Sequence, residues 1–244
     1  MSNSPLHESQ RKAARVVGIT LLLAIGIVVL ANYGISFRLM VPGNAVDTAR
    51  NIIRHETLFR LNIVCNLIYV VNILVLLGAL YAVLESVNQR LALFAAFCRL
   101  VYGLMWAITA LNMLGALRLL GDAAYLPVFE PDQLQALARL HISIDAYYVG
   151  LPFWGLASAV CSYLWFKSGY IPKAMAAFGL ISSAWCVVCG FAFIVFPKFE
   201  TIVNAYWFDM PLVIFETTMG VWLLFKGLRN TGVTEPHRAQ AEAA

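Results

Sequence analysis

The sequence predicts an all-α membrane protein: a polytopic helical bundle of six transmembrane helices with two short helices on its outer surface. Six apolar runs support this, since each holds the ~20 mostly apolar residues that a helix needs to cross a bilayer. The runs are Val16–Phe37, Leu61–Leu84, Leu91–Leu117, Ile142–Phe166, Ile171–Phe196 and Ala205–Phe225. Of the 244 residues, 61% are hydrophobic and 12% charged, and the mean hydropathy is +0.77. A soluble fold could not hide this much apolar surface, so that class is excluded.

The length fits one domain. We expect a cytoplasmic N-terminal tail over residues 1–15, a six-helix membrane domain over 16–226 and a cytoplasmic C-terminal tail over 227–244. The first apolar run is too long for a signal-peptide core, and no small-residue cleavage site follows it. It is therefore predicted to remain as a transmembrane span.

The distribution of Lys and Arg predicts that both chain ends lie in the cytoplasm of a bacterial cell, with the bundle in the inner membrane. This orientation places nine basic residues inside and seven outside, and the first helix and the tails carry most weight. The inner nine are Arg11, Lys12, Arg15, Arg90, Lys167, Lys173, Lys226, Arg229 and Arg238. The outer seven are Arg38, Arg50, Arg54, Arg60, Arg118, Arg139 and Lys198.

Two connections are longer than hairpins, and each predicts a short helix on the outer membrane surface. In Met40–Arg60, a Pro-Gly pair breaks the chain and Asn44 is placed to cap a new helix. In Gly121–Leu140, Pro127 and Pro131 break the chain and Asp132 is placed to cap.

The chain also contains an internal echo. Residues 60–70 and 139–149 are identical at five of eleven positions, at an offset of 79 residues. A duplication of 44–118 as 130–197 would relate spans two and three to spans four and five about an axis along the membrane normal. Apolar sequences also produce such matches by chance, so both interpretations stay open.

Polar side chains in the outer third of the spans predict an outward-facing polar pocket. Helical spacing places Asn62, Asn66 and Tyr69 on one face of span two, and His141, Asp145 and Tyr148 on one face of span four. The predicted lining residues are Asn62, Asn66, Tyr69, Asn112, His141, Asp145, Tyr148 and Asp209. Hydrogen bonding between helices would explain the same residues without a pocket.

Deeper in the bundle, Arg99 and Glu216 are predicted to form a buried ion pair. Arg99 lies eight residues from the inner end of span three, and Glu216 nine from the inner end of span six. At ~1.5 Å per residue, both lie ~12–14 Å deep from the same side. Since breaking a buried pair is costly, a structural clamp is favoured over a mechanistic site.

Metal and redox chemistry are disfavoured. His141, Asp145 and Asp209 could supply three metal ligands, but no second histidine lies within a span. Cys186 and Cys189 form a Cys-x-x-Cys pair inside an apolar span, where small apolar filler is favoured over a redox or metal role. The sequence has no phosphate-binding glycine loop and no basic run for nucleic acid. We expect no cofactor and no nucleic-acid partner.

Four stretches carry a resemblance to a known family. They are NIIRHETLFRLNI (51–63), AAYLPVFEPDQLQALA (123–138), KSGYIPK (167–173) and FETTMGVWLLFKG (215–227). In order and spacing they resemble bacterial multi-pass membrane proteins catalogued as domain of unknown function 4386. The resemblance implies an all-helical membrane bundle and no established activity. It places these residues in motif positions: Arg60, Gln133, Ser168, Gly169, Pro172, Glu216, Trp222 and Gly227.

These observations favour a non-enzymatic membrane protein that binds a small amphipathic or lipid-like ligand from the outer leaflet. One alternative is a membrane-embedded enzyme that uses His141, Asp145 and Asp209, with or without a metal ion. Another is an accessory subunit of a membrane complex. The expected partners are membrane lipid and the lipid-like ligand, and the sequence does not indicate a protein partner.

Overall fold

The described part of the chain is entirely helical in its regular structure. The computed structural model describes residues 5–121, 128–143, 145–196, 198–204 and 207–229, and within these ranges it contains helices and no strand. The long helices pack against one another, α6 against α7 and α4, and α1 against α4 and α8. The predicted class, an all-α membrane helical bundle, is confirmed.

The described helices have the following bounds. In chain order they are α1 (Pro5–Val28), a π-helix (Val29–Ser36), α2 (Phe37–Leu39), α3 (Ala45–Arg54), α4 (Glu56–Leu119), α5 (Pro131–His141), α6 (Asp145–Ser168), α7 (Lys173–Val195), a 3-10 turn (Phe199–Thr201) and α8 (Met210–Phe225). Among the described residues, four stretches are long and apolar enough to cross a membrane, namely Glu8–Leu39, Glu56–Leu119, Pro131–Ser168 and Lys173–Val195. With 16 residues, α8 is shorter.

Helix α4 is two antiparallel helices joined at a sharp bend. Its 64 residues contain one residue outside the helical region, Asn88, with φ −162° and ψ 103°. The Asn88 Oδ1 accepts a hydrogen bond from the backbone N–H of Leu91 at 3.0 Å and so caps the second arm. The arms, 56–87 and 89–119, fold back on each other. This is shown by Tyr69 on the first arm and Tyr102 on the second, whose hydroxyls lie 3.3 Å apart.

The predicted spans thus correspond to α1, the two arms of α4, α6, α7 and α8. The number of membrane crossings stays a prediction, because α8 measures only ~24 Å against a hydrocarbon core of ~30 Å.

The described parts of the chain nearest its two ends lie at the end of the bundle that contains the α4 bend. The Gln10 side chain donates a hydrogen bond to the Ser86 hydroxyl at 2.8 Å, and the backbone N–H of Arg229 donates to the carbonyl of Tyr170 at 2.9 Å. We call this the Asn88 end. The opposite end, where α3 packs against α5, is the α3–α5 end. Side-by-side α3 and α5 are what a duplication would give, but the duplication stays a prediction.

The two predicted helix caps have different outcomes. Asn44 caps α3 as expected, since its Oδ1 accepts from the backbone N–H of Asp47 at 2.9 Å. The expectation for Asp132 is wrong, because Glu130 is the N-cap of α5 and forms a capping box with Gln133. Pro131 takes the first helical position, which moves the cap one residue before it. Pro127 lies outside the described residues, as do 1–4 and 230–244.

Helices α1 and α8 cross at a pair of glycines. A Cβ atom added to Gly18 would lie 2.9 Å from the backbone oxygen of Gly220, and one added to Gly220 would lie 3.2 Å from the backbone oxygen of Gly18. Since lipid tails are as apolar as a protein core, close backbone approach between small residues is a main source of helix association in membranes. These two glycines therefore set the distance between α1 and α8.

The variant Gly18→Ala should destabilise the protein by about 1–3 kcal/mol, because a backbone atom has to move to make room for the methyl group. The measurement is thermal unfolding in mild detergent. The matched control is Gly26→Ala on the same helix, where an added Cβ meets nothing within 4 Å. Equal unfolding temperatures for the two variants would contradict the close crossing.

Candidate functional site

The structure brings Arg99 and Glu216 together inside the bundle. The Arg99 Nη2 lies 3.1 Å from the Glu216 Oε1. Arg99 is 3% exposed and Glu216 is 7% exposed. Arg99 comes from the second arm of α4 and Glu216 from the second turn of α8. The pair therefore joins two helices that are distant in sequence.

Two residues of α6 complete this polar centre. The Trp154 Nε1 and the Ser158 hydroxyl each donate a hydrogen bond to the Glu216 Oε1 at 3.1 Å. The Ser158 hydroxyl also accepts from the Arg99 Nη2 at 3.0 Å. Three donors thus converge on one carboxylate oxygen, which offsets part of the cost of removing the charge from water. We call Arg99, Trp154, Ser158 and Glu216 the central ion-pair site.

The sequence analysis missed Trp154 and Ser158. They are four residues apart and share one face of α6. The sequence did contain a signal for them: a hydroxyl and an indole N–H lie on the same helix face in the middle of a span. Both groups require a hydrogen-bond acceptor when they are buried.

An aromatic cluster extends from this site towards the α3–α5 end. It consists of Tyr69, Tyr102, Trp106, Tyr147, Tyr148 and Trp154. The Tyr102 ring stacks on Trp154 with centroids 5.6 Å apart, and the rings of Tyr69 and Trp106 are 4.5 Å apart. Trp106 reaches Tyr147 at 6.4 Å, and Tyr147 reaches Tyr148 at 6.2 Å. The rings form one continuous set of contacts through the bundle.

Two carboxylates accept hydrogen bonds from this cluster. The Tyr147 hydroxyl donates to the Asp209 Oδ2 at 3.1 Å, and the Tyr148 hydroxyl donates to the Glu200 Oε1 at 2.6 Å. Asp209 is half-buried at the start of α8, whereas Glu200 is exposed. Neither carboxylate forms an ion pair with a Lys, Arg or His in the ranges that the structure describes.

The predicted pocket residues are divided among separate places. Tyr69 and Tyr148 belong to the aromatic cluster, and Asp209 is bonded to it. Asn62 and Asn66 form a second group beside the π-helix, where Asn62 donates to the Ser36 hydroxyl at 2.8 Å and Asn66 donates to the carbonyl of Asn62 at 2.8 Å. Asn66 is thus bonded to Asn62 within the first arm of α4, and Asn62 is bonded to Ser36 of the π-helix.

Asn112 lies on the second arm of α4 and is half-buried. It makes no side-chain hydrogen bond within the described ranges. The structure therefore does not link it to the aromatic cluster or to the asparagine pair.

The expected shared face of His141, Asp145 and Tyr148 is wrong. Helix α5 ends at His141 and α6 begins at Asp145, so the first two residues belong to different helices. Both are exposed. The Ser143 hydroxyl donates to the Asp145 carboxylate at 2.6 Å, because a serine beside a helix start competes for local hydrogen bonds.

His141, Asp145 and Asp209 are therefore not assembled as metal ligands. Across the described ranges, no three His, Cys, Asp or Glu side chains lie together as they would around one metal ion. Cys186 and Cys189 are free thiols, fully buried in the apolar core of the bundle. Their packing is that of small apolar side chains, and their reduced, metal-free state stays a prediction.

Most motif residues of the sequence resemblance lie at helix ends. Gly169 and Gly227 have positive φ values of 68°, which favour glycine after a helix. Pro172 is the N-cap of α7, and Gln133 completes the capping box of α5. Glu216 differs from these, because it lies inside a helix and contacts side chains of two other helices. The central ion-pair site is therefore a candidate functional site.

Replacing one partner of the central pair should destabilise the protein by roughly 3–5 kcal/mol, because the other becomes an uncompensated buried charge. Arg99→Leu and Glu216→Leu should each show this loss in thermal unfolding in detergent, and the double variant should lose less than either.

The matched control is Arg60→Leu, which breaks the exposed pair of Arg60 and Glu56 at 2.7 Å. It should cost about 0–1 kcal/mol, because water screens exposed ion pairs. Losses that simply add in the Arg99→Leu, Glu216→Leu double variant would show that the two side chains do not interact.

Comparison with known proteins gives one family. The family described as "Domain of unknown function (DUF4386)" matches residues 16–227. No curated protein and no solved structure matches the chain. The matched range begins within α1, extends past the end of α8 and contains the central ion-pair site, and it agrees with the resemblance carried by the four motifs. The chain therefore belongs to the domain of unknown function 4386 family.

Proposed function

We propose that this integral membrane protein binds, without catalysing a reaction, a small amphipathic or lipid-like ligand at the aromatic cluster. The ligand carries an ammonium head group that lies against Asp209. The observation that supports this proposal is the Asp209 carboxylate, which is half-buried, bonded to Tyr147, and without a cationic partner in the described part of the chain.

A cationic head group satisfies the requirements of this position. A carboxylate at the edge of a membrane normally has a partner, because an unpaired charge is costly where water is scarce. The Tyr147 hydroxyl donates to Asp209, and the Trp106 ring lies 6.4 Å from the Tyr147 ring. Tyr and Trp rings attract cations through their quadrupoles, so an ammonium group paired with Asp209 would have aromatic neighbours.

The surroundings favour an amphipathic molecule. Ile202 and Trp207, on the connection that carries Glu200 and Asp209, are 79% and 57% exposed. Such side chains suit contact with an apolar tail at the membrane surface, where tryptophan is enriched.

The proposed orientation places the Asn88 end in the cytoplasm of a bacterial cell and the α3–α5 end towards the outer leaflet. Its support is the distribution of basic residues, since Gln10 and Arg229, near the two ends of the described chain, lie at the same end of the bundle as the bend that precedes Arg90. Arg11, Lys12, Arg15 and Lys226 flank those ends, as the positive-inside tendency requires. Arg238 lies outside the described residues.

Asp209→Asn should weaken binding of dodecyltrimethylammonium, used as a probe, by at least about tenfold, or ~1.4 kcal/mol. The variant keeps the shape of the side chain and removes its charge. Binding is measured by calorimetry on protein in lipid nanodiscs, corrected for partition of the probe into empty nanodiscs.

The matched control is Asp145→Asn, which removes a carboxylate at the same end that is exposed and bonded to Ser143. It should leave binding unchanged, and the neutral probe dodecyl maltoside should bind wild type and Asp209→Asn equally. Equal affinity of wild type and Asp209→Asn for the cationic probe would contradict the proposal.

A further inference from the structure

A small cavity lies beside the central ion-pair site, on its Asn88 side. Its volume is about 10 Å³, and it is lined by the two arms of α4 and by α6. Its lining includes Tyr81 from the first arm, Arg99 from the second arm and Cys161 from α6. A cavity needs roughly 10–15 Å³ of this kind of space to hold one water molecule. The cavity is at the lower limit for a single water.

Small side chains keep this space open. Ala92, Ala95 and Ala96 line it together with Arg99, at the spacing i, i+3, i+4 and i+7 of one helix face. Only methyl groups therefore lie between the bend and the guanidinium on this face. Ala92 is four residues beyond Asn88, which is ~6 Å along the helix axis.

The Arg99 side chain lines the cavity and has an unused hydrogen-bond donor. It is 3% exposed, and its two hydrogen bonds to Glu216 and Ser158 both use Nη2. The Nε is buried without an acceptor among the described residues. An unpaired N–H on a buried cation is costly, so an acceptor at this position would stabilise the site.

We propose that this cavity binds one water molecule, which accepts a hydrogen bond from the Arg99 Nε and reaches the site from the Asn88 end. The central ion pair is then hydrated from one side of the membrane. On its other side it is covered by Trp154 and Tyr102, which stack at 5.6 Å. This hydration site is independent of the proposed ligand at Asp209.

The charges favour water over an anion. Glu216 already neutralises Arg99 at 3.1 Å. A second anion would leave a net negative charge in a space bounded largely by Leu and Ala side chains, and burial of an unpaired charge is strongly unfavourable. Water provides the missing acceptor and adds no charge.

Hydroxyl-radical footprinting with short X-ray pulses tests the proposal on the full-length protein in nanodiscs. Radicals formed from a bound water modify adjacent side chains, so Cys161 should be oxidised several-fold faster than Cys186 and Cys189. Those two cysteines are also buried, but they do not line the cavity. Equal oxidation rates for the three cysteines would overturn the proposal, and this comparison requires no variant.

Filling the cavity provides a second test. Ala95→Leu should lower the oxidation rate of Cys161 to that of Cys186, because the added side chain takes the place of the water. The matched control is Ala82→Leu on the first arm, outside the lining, which should leave the rate at Cys161 unchanged. An unaltered Cys161 rate in folded Ala95→Leu would overturn the proposal.

A third measurement distinguishes water from a small anion. The thermal unfolding temperature of wild type should be the same in chloride, bromide and fluoride at equal ionic strength. A halide-specific shift that disappears in Ala95→Leu would show that an anion occupies the cavity and would overturn the assignment of water.

Discussion

The ion pair between Arg99 and Glu216 is the constraint on which the arrangement of the bundle depends. Two charges inside a membrane require each other, and here they are also bonded to Trp154 and Ser158 of α6. Rotation or translation of α4, α6 or α8 would break at least one of these contacts. The pair therefore fixes the relative positions of three helices that apolar packing alone would hold with little specificity.

The same contacts connect the interior of the bundle with its α3–α5 end. Trp154 both donates to Glu216 and stacks on Tyr102, so the polar centre and the aromatic cluster share a side chain. The cluster ends at Asp209, which lies seven residues before Glu216 on the same stretch of chain. A change in the position of α8 would therefore affect both carboxylates, which gives the proposed ligand position a physical connection to the ion pair.

The helix ends are determined more locally. Asn88 bends α4 and caps its second arm, and the Glu130–Gln133 capping box begins α5. Gly169, with φ 68°, follows the end of α6 and leads into Pro172 at the start of α7. These residues set the lengths of the helices and hence the depth of each polar side chain. The motif residues at helix ends thus support the site without contacting it.

The sequence by itself determined the membrane class, the helical content and the depth of the polar residues, because a helix rises by a constant amount per residue. That regularity is why Arg99 and Glu216 could be expected to meet. It could not show that Trp154 and Ser158 join them, or that α5 ends at His141 and separates it from Asp145. Side chains facing lipid and side chains facing the core are equally apolar here: Leu111 and Ile181 are exposed, whereas Leu151 and Leu164 are buried. The pattern of hydrophobic residues therefore does not show which face of a membrane helix points into the bundle. Only the packing of the helices decided which side chains lie next to each polar group.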